Sequence, residues 1–444
     1  MSERRNGDLV VRHAAELLVC PADGDGLGTI EDGAVVARDG HVVWVGRTDE
    51  LPDGLSRTNQ SGGADDAAVD GSSPGEAAAG PEGGDRGPKV VDATGKVVMP
   101  GLVECHTHLV FGGSREYEFQ MRSKGASYAE IAAAGGGIMS TVKATRAAST
   151  DELLERGRAN LADMLRLGLT TVEAKSGYGL SVEHELRLLD IYRELDDEQP
   201  VDVVPTLLGA HVVAPEFRGR PDAYVDLVVG EMIPECARRG LARFCDVFCE
   251  EGAFTLEQSR RVLEVGLEHG LRPKLHADQF GDGGGGRLAA ELGAVSADHL
   301  DHIGDAGIGA MAAAGVTAVL LPGAVAFLGL HHFAPARRLI DGGVHVALST
   351  DFNPGTCHCM SPYLMATLAS GYLKMDIAEV LRGYTCEAAR ALGLEDEVGS
   401  LEVGRKADIA VLDVPNAESI PYDFGMVQVE TVVKDGKVVY DAHA

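Results

Sequence analysis

The sequence lacks any long hydrophobic run. None of its apolar stretches reaches the ~18 residues that a helix needs to cross a bilayer. The first residues, MSERRNGDLVVRH, lack the apolar segment of a secretory signal. We therefore expect a cytoplasmic protein with no membrane partner.

Basic residues are also scarce. Lys and Arg together number 39, against 68 Asp and Glu, which gives a net charge of −29 at pH 7. A surface with this excess of carboxylate repels phosphates, so we expect no nucleic-acid partner. The 444 residues, 45% of them apolar, are enough for a large globular core and more than one domain.

The cysteines form no regular framework. The eight are Cys20, Cys105, Cys236, Cys245, Cys249, Cys357, Cys359 and Cys386. In a cytoplasmic chain we interpret them as free thiols. The run Cys357-His358-Cys359 could belong to a metal cluster, but it lacks a second Cys/His pair at the spacing of a zinc site. We interpret it as a loop.

The composition divides the chain into regions. Residues from about 54 to 88 contain Gly, Ala, Asp and Ser with almost no large apolar side chain, so they cannot offset the entropy of ordering. We interpret this stretch as a flexible insertion. Short β-rich runs lie before it, after it and again near the carboxyl terminus. They predict a small β-sandwich domain built from both chain termini, residues 1–98 and 391–444.

Residues 99–390 alternate strand and helix patterns, which is typical of a parallel α/β fold. Eight strands are predicted, the number in a (β/α)8 TIM-type barrel. The predicted strands are Leu102–Glu104, Leu169–Ala174, Val201–Leu208, Arg243–Cys249, Arg272–Leu275, Ala294–Asp298, Val316–Leu321 and Val344–Thr350.

Polar residues follow most of these strands, where such a barrel carries its chemistry. They are His106, His108, Lys175, His211, His276, His299 and Asp351. If they were structural, they would be scattered along the strands. Their position therefore predicts an active site at the carboxyl end of the barrel.

Four of these residues form a candidate metal site. His106 and His108 are two apart, so on a strand they point to the same side. His276 follows the fifth strand and Asp351 the eighth, which neighbours the first in a closed barrel. Three imidazoles and a carboxylate suit a divalent ion such as zinc. Such an ion lowers the pKa of its bound water to about 7, which supplies hydroxide at neutral pH.

Longer motifs resemble a known family. PGLVECHTH ending at 108, HAD at 276, HLDH at 299 and STDFNPG at 349 resemble the amidohydrolase superfamily in its mononuclear form. Residues 106–146, EAKSGYGL at 173–180, LGAHVVAPEF at 208–217 and STDFNPGTC at 349–357 resemble its imidazolonepropionase family.

The resemblance implies hydrolysis of the cyclic amide of 4-imidazolone-5-propanoate to N-formimidoyl-L-glutamate, a step of histidine degradation. It also implies one zinc or iron ion per chain, a small-molecule substrate and a homodimer. The residues that it assigns to substrate or product are Arg115, Tyr178, His211, Asn353, Gly355 and Thr356. Arg115 offers a guanidinium fork that suits the propanoate.

Three residues are predicted to transfer protons or to position the water and the substrate. Asp351 is the expected acceptor of a proton from water and its donor to the leaving nitrogen. His299 is assigned to orienting that water or stabilising the oxyanion. Gln279, where some relatives carry Glu, cannot titrate and can only position the substrate through hydrogen bonds.

Three alternatives remain open. A heterocycle deaminase of the same superfamily would need Glu where Gln279 stands. A dinuclear cyclic amidase could use a carboxylated Lys175 between two metals, although that lysine usually comes from the fourth strand. A non-enzymatic scaffold on an inactive barrel is disfavoured by the intact ligand set.

Overall fold

The computed structural model describes residues 9–53, 88–126, 130–131 and 134–444. Of the predicted insertion at about 54–88, residues 54–87 lie outside the described residues. The described strands form two sheets of eight strands each. Among the described residues, no helix combines the length and the apolar composition needed to cross a bilayer.

The strands are numbered along the chain. They are β1 (Leu9–Leu18), β2 (Thr29–Arg38), β3 (His41–Arg47), β4 (Lys89–Asp92), β5 (Val97–Pro100), β6 (Leu102–Glu104), β7 (Leu169–Lys175), β8 (Asp202–Ala210), β9 (Phe244–Cys249), β10 (Arg272–Ala277), β11 (Ser296–His299), β12 (Thr317–Leu320), β13 (Val346–Leu348), β14 (Ile409–Leu412), β15 (Val429–Lys434) and β16 (Lys437–Asp441).

The first sheet is built from both ends of the chain. Its order is β16-β15-β14-β5-β1-β2-β3, and β4 pairs with β1. β5 and β14 run antiparallel and join the two ends, with Val98 opposite Val411. Val98, Val411 and Leu17 belong to a small buried core of this sheet. The prediction of a small β domain from both termini is confirmed, and its boundaries at 98/99 and 390/391 stay a prediction.

The second sheet is the predicted barrel. β6 to β13 pair in chain order and run parallel. A parallel bridge between Thr107 and Phe352, just beyond the strand ends, brings β6 to β13. The buried carboxylate of Glu104 also accepts a hydrogen bond of 3.1 Å from the backbone N–H of Thr350. The first and last strands therefore meet, and the barrel fold is confirmed.

Helices cover the outside of the barrel. The longer ones are Glu116–Ser123, Ile138–Ala147, Thr150–Arg166, Val182–Glu198, Leu256–Glu268 and Asp305–Ala314. The shorter ones are Pro221–Leu227, Ile233–Arg239, Gly285–Glu291, Pro322–Phe327, Ala336–Asp341, Pro362–Leu368, Ile377–Gly383, Cys386–Arg390 and Ser419–Tyr422. Short 3-10 turns occupy Thr48–Glu50 and Pro215–Phe217, and π-helical turns occupy Val228–Met232 and Ala369–Leu373.

Local sequence sets several helix limits. Ser149 caps Thr150–Arg166 because its hydroxyl accepts from the Glu152 N–H. The Glu152 carboxylate in turn accepts from the Ser149 N–H, which completes a capping box. Gly168 follows that helix with φ +85°, a backbone conformation that favours glycine. The helices Pro221–Leu227 and Ile233–Arg239 are separated by the π-helical turn Val228–Met232. Pro234 lacks the N–H that a continuous helix would use there.

Candidate active site

The structure brings the four predicted metal-binding residues together. His106 and His108 follow β6, and His276 lies in β10. All three are buried, and one nitrogen from each lies within 4.8 Å of the others. Asp351 follows β13, and its Oδ1 is 3.5 Å from Nε2 of His106. The four side chains thus converge on one point at the carboxyl end of the barrel.

Two of the imidazoles are held by carboxylates on their outer side. Nδ1 of His106 lies 2.7 Å from Asp298 Oδ2, and Nδ1 of His276 lies 3.1 Å from Asp246 Oδ1. An ionised carboxylate only accepts, so each Nδ1 carries the hydrogen and each Nε2 presents its lone pair. Among the described residues, neither buried Nε2 has a hydrogen-bond partner. Leaving such atoms unpaired is costly, and a metal ion would satisfy both.

Burial sets the protonation of these groups. It lowers the pKa of His106 to about 3, with Lys175 and His276 adding to the effect. It also lowers the pKa of His108 well below the usual value. Both imidazoles are therefore neutral donors of a lone pair at neutral pH. Burial raises the pKa of Asp351 to about 7, and a cation beside it favours the ionised form.

The backbone is strained at two strand ends of the site. His299 and Leu300, at the end of β11, have φ of 76° and 62°, and Asp351 has φ of 54°. Each such residue costs about 1–3 kcal/mol and persists only when its surroundings hold it. The hydroxyl of Thr356 donates to Asp351 Oδ2 over 3.2 Å and helps to hold that carboxylate.

A cavity of about 600 Å³ opens over the histidines. The predicted residues that line it are His108, Arg115, Tyr178, His211, His276, Gln279, His299, Asp351, Asn353 and Thr356. His106 and Gly355 are the two predicted site residues outside this lining. The predicted catalytic, metal-binding and substrate-binding residues therefore form one site.

Arg115 reaches the cavity in a fixed orientation. Its Nε donates to Oε1 of Glu118 over 2.9 Å and its Nη2 to Oε2 over 2.7 Å. Glu118 is buried and also accepts from the backbone N–H of Gly137. A side chain at position 355 would collide with the Arg115 guanidinium, which explains why Gly355 stands there. The Glu118 pair leaves Nη1 of Arg115 available to a ligand.

Tyr178 and His211 form one wall of the cavity. His211 stacks on His108 with ring centroids 5.0 Å apart, and Tyr178 lies 5.5 Å from His211. Nδ1 of His211 is 3.0 Å from the carbonyl oxygen of Gly177, which leaves Nε2 for a ligand. Burial lowers the pKa of His211 to about 3 and raises that of Tyr178 above its usual value. Both polar groups are therefore neutral at physiological pH.

The loop after Asp351 is organised by Asn353. Its Oδ1 accepts from the N–H groups of Gly355 and Thr356 at 2.7 and 2.8 Å. Its Nδ2 donates to the Asp351 carbonyl and to the Thr356 hydroxyl. The amide is fully used by these bonds, so Asn353 shapes the loop.

Several residues that line the cavity were not predicted from the sequence. Glu250 and Glu251 follow β9 directly, and Phe280 and Ile138 also line the cavity. Glu250 Oε2 accepts from the backbone N–H groups of Gln279 and Phe280 at 2.8 and 3.1 Å. The rule that polar residues follow barrel strands applies to the fourth strand too and would have found Glu250. No sequence pattern points to Phe280 or Ile138.

Lys175 lies in the barrel below the histidines. Its Nζ contacts Asp246 at 2.8 Å, Glu173 at 3.1 Å and Asp298 at 3.2 Å. Burial alone would lower the pKa of Lys175, but these carboxylates hold it well above its usual value. Carboxylation requires the neutral amine and would add another anion beside them. The contacts therefore disfavour a carboxylated Lys175 between two metals.

Cys357 and Cys359 lie apart from the cluster of metal-ligating side chains. In the part of the chain that the structure describes, that cluster consists of His106, His108 and His276. All eight cysteines are free. The interpretation of Cys357-His358-Cys359 as a loop agrees with this arrangement, since the segment lies between β13 and the helix Pro362–Leu368.

Known proteins resemble this chain in sequence over most of its length. The model of the amidohydrolase family matches residues 124–440. An imidazolonepropionase of Geobacillus kaustophilus is 51% identical over 93% of this chain and 91% of its own length. That of Brevibacillus brevis is 46% identical over 97% of both chains. That of Porphyromonas gingivalis is 43% identical over 98% of this chain and 97% of its own.

Solved structures share the fold at low sequence identity. The 5-methylcytosine deaminase of Klebsiella pneumoniae superposes with a TM-score of 0.68 at 17% identity, over 98% of each chain. The adenosine deaminase of Xanthomonas campestris with bound zinc gives 0.65 at 20% identity, over 97% of this chain and 92% of its own. At these identities the likeness concerns the fold alone.

Proposed function

The chain belongs to the imidazolonepropionase family of amidohydrolases, and we propose that its His106, His108, His276 and Asp351 bind one divalent metal ion. The reaction is hydrolysis of the cyclic amide of 4-imidazolone-5-propanoate to N-formimidoyl-L-glutamate, in histidine degradation. The observation that carries the metal site is the pair of buried imidazole nitrogens, on His106 and His276, that have no hydrogen-bond partner in the described part of the chain.

The charges in the barrel interior support a single divalent ion. Asp246, Asp298 and Asp351 are buried carboxylates beside the histidines, and Glu173 is a fourth that contacts the buried ammonium groups of Lys175 and Lys274. Burial raises the pKa of Glu104, a further buried carboxyl of the barrel, to about 8 and keeps it neutral at pH 7. Two negative charges remain, which one divalent cation would balance. Buried charge without such compensation is expensive.

The ion supplies two things when bound: it polarises the amide carbonyl and lowers the pKa of water. Asp351 accepts the proton of the attacking water. The water oxygen bonds to the carbonyl carbon, the C–N bond of the ring breaks, and Asp351 returns the proton to the departing nitrogen. Burial opposes the ionised form of Asp351 and a bound cation would favour it, and these opposing effects on its pKa suit a carboxylate that accepts a proton and returns it.

His299 stabilises the negative oxygen that develops on the substrate, or orients the water. Burial holds the pKa of His299 well below its usual value, so its ring is neutral. A neutral imidazole donates a hydrogen bond to an oxyanion without first needing a proton from solution. The ring lies beside those of His106 and His276, with centroids 5.6 and 5.4 Å away.

The substrate is oriented by its anionic tail. Arg115 is the cationic side chain in the cavity lining, and we assign it to the propanoate. Tyr178 and His211 pack against the ring. The Tyr178 hydroxyl donates a hydrogen bond to it, whereas Nε2 of His211 accepts one, because Nδ1 of the neutral imidazole donates to the Gly177 carbonyl. Gln279 contributes a neutral amide, whereas Asn353, Gly355 and Thr356 shape the loop that holds Asp351 and Arg115.

Zinc and iron are both compatible with three imidazoles and a carboxylate. The adenosine deaminase with a similar fold has bound zinc, which makes zinc the first metal to test here. We also propose that the enzyme is a cytoplasmic homodimer, in keeping with its family. Light scattering on the purified protein tests the dimer.

The test of the proposed function combines metal analysis with turnover. The protein is purified, its zinc and iron are counted, and loss of imidazolonepropionate absorbance is followed before and after chelation. We expect about one metal ion per chain and activity that disappears with chelator and returns with metal. A chain that turns over fully without metal, or that holds two ions, would contradict the proposed site.

A further inference from the structure

Lys175 is the buried group that connects two of the three metal-binding histidines, His106 and His276, through Asp298 and Asp246, and the proposed hydrolysis gives it no role. It lies in β7, and its side chain is fully buried. An ammonium group has three hydrogens, and Nζ of Lys175 has three carboxylate partners, Asp246, Glu173 and Asp298, at 2.8, 3.1 and 3.2 Å. Its donor capacity is therefore fully used inside the barrel.

Two of these carboxylates are the ones that hold the imidazoles. Asp298 Oδ2 is 3.2 Å from Nζ of Lys175 and 2.7 Å from Nδ1 of His106. Asp246 Oδ2 is 2.8 Å from Nζ and 3.1 Å from Nδ1 of His276. One ammonium group thus fixes both carboxylates, and each carboxylate fixes one ring.

We propose that Lys175 is a positioning residue for the metal site, which aims Nε2 of His106 and Nε2 of His276 at the same point through Asp298 and Asp246. The inference rests on the proposed metal site. Loss of the ammonium would leave two like charges facing each other in the barrel, so the carboxylates would separate or bind protons. Either change alters the orientation of both rings. Partners of this kind contribute to metal affinity although they do not touch the metal.

Lys274 provides a matched control within the same cluster. It is also fully buried, and its Nζ lies 3.1 Å from the other oxygen of Glu173. It also donates to the carbonyl oxygens of Cys105 and Ala391, at 3.4 and 3.1 Å, and lies 5.2 Å from the centroid of the Phe244 ring. Lys274 lies in the same strand as His276, two residues before it, yet it contacts neither carboxylate that holds a ring.

The experiment compares Lys175→Met with Lys274→Met. Zinc affinity is measured on each apoprotein by competition with a chromophoric chelator, and the visible spectrum of the cobalt-loaded form reports the ligand geometry. We expect zinc affinity about 10- to 100-fold lower in Lys175→Met, with a changed cobalt spectrum. Lys274→Met removes the same buried charge but no contact of Asp246 or Asp298, so it is expected to keep the wild-type cobalt spectrum and to bind zinc at least as tightly as the wild type. Equal affinity in the two variants would overturn the role of Lys175.

A second pair of variants separates the effect on the metal site from misfolding caused by an unbalanced buried charge. Folding of every apoprotein is checked by circular dichroism. Lys175→Met/Asp298→Asn removes one charge of each sign, and it is compared with Asp298→Asn alone. The double variant is expected to bind zinc more weakly, because Asp246 also loses its partner. Equal affinities would overturn the inference, and a wild-type chain that binds no zinc would overturn the proposed metal site and the inference with it.

Discussion

Among the described residues, two clusters of charged side chains differ in the groups that their outermost contacts reach. The site cluster consists of Lys175, Lys274, Glu173, Asp246 and Asp298, all fully buried in the barrel. Its contacts end on the imidazoles of His106 and His276, whose other nitrogens have no described partner.

The second cluster, here called the joining cluster, consists of Lys406, Lys434, Asp202, Asp408 and Asp435. Nζ of Lys434 lies 3.1 Å from Asp202 at the start of β8 and 3.2 Å from Asp408 beside β14. It therefore links the barrel to the terminal sheet. Its contacts end on backbone, since Asp408 Oδ1 accepts from the Asp435 N–H over 2.8 Å.

This difference shows which feature of a buried polar network marks a functional site. Buried lysines and carboxylates occur in both clusters, so buried charge alone does not mark a functional site. The site cluster is distinguished by two lone pairs at its end that no described residue satisfies. In the joining cluster, Asp408 Oδ2 and Lys434 Nζ also lack a described hydrogen-bond partner, but they carry opposite charges and lie 3.2 Å apart, so each compensates the other and the cluster serves to hold two sheets together. Substitutions in the two clusters should therefore separate metal binding and turnover from stability.

The largest expected effect lies at the open end of the site cluster. Asp351→Asn removes a metal ligand and the proton acceptor, since an amide does not titrate. We expect kcat/KM to fall by about 10²- to 10⁴-fold at saturating metal, the usual contribution of a general base. The assay is hydrolysis of 4-imidazolone-5-propanoate with the metal content measured on the same sample. Near wild-type turnover in a fully loaded variant would remove Asp351 from the proton path.

In the joining cluster we expect a substitution to lower the stability of the fold and to leave metal binding unchanged. Lys434→Met leaves the buried carboxylate of Asp408 without its cation and should destabilise the fold by about 3 kcal/mol, the lower end for breaking a buried pair. The lower end applies because water reaches Asp202, which is 34% exposed. Urea unfolding measures the loss.

Zinc affinity of the folded Lys434→Met protein should equal that of the wild type. A loss of affinity as large as that expected for Lys175→Met would remove the distinction between the two clusters.

The fold was predictable because its signals are local. Parallel strands that are buried on both faces have short apolar runs as their sequences. The strand predicted at Val201–Leu208 therefore lies close to the observed strand Asp202–Ala210. The helix Thr150–Arg166 has an apolar stripe, a capping residue and a final glycine, all within one stretch of sequence. The metal ligands were predictable for the same reason, because each follows its own strand directly.

The rest depends on contacts that the sequence does not show. The helix Glu116–Ser123 was missed because it has no apolar stripe, and Glu118 is its buried residue. Glu118 could be recognised as the partner of Arg115 only once that helix was known. Lys175 was visible as a polar residue after the second strand, but its role follows from Asp246 and Asp298, which lie 71 and 123 positions later in the chain and meet it only in the closed barrel.

The smallest effect is expected at Gln279, which belongs to neither cluster. Its backbone N–H is held by Glu250 and its side chain lines the cavity, so a glutamate would fit the same space. Gln279→Glu adds a carboxylate near Glu250 and Asp351 but leaves the metal ligands and their partners unchanged. If Asp351 carries the proton, kcat/KM should stay within about tenfold of wild type, which corresponds to ~1.4 kcal/mol of transition-state stabilisation. A variant as inactive as Asp351→Asn would show instead that the neutral amide of Gln279 is itself required, and the proton path would have to be redrawn through this side of the cavity.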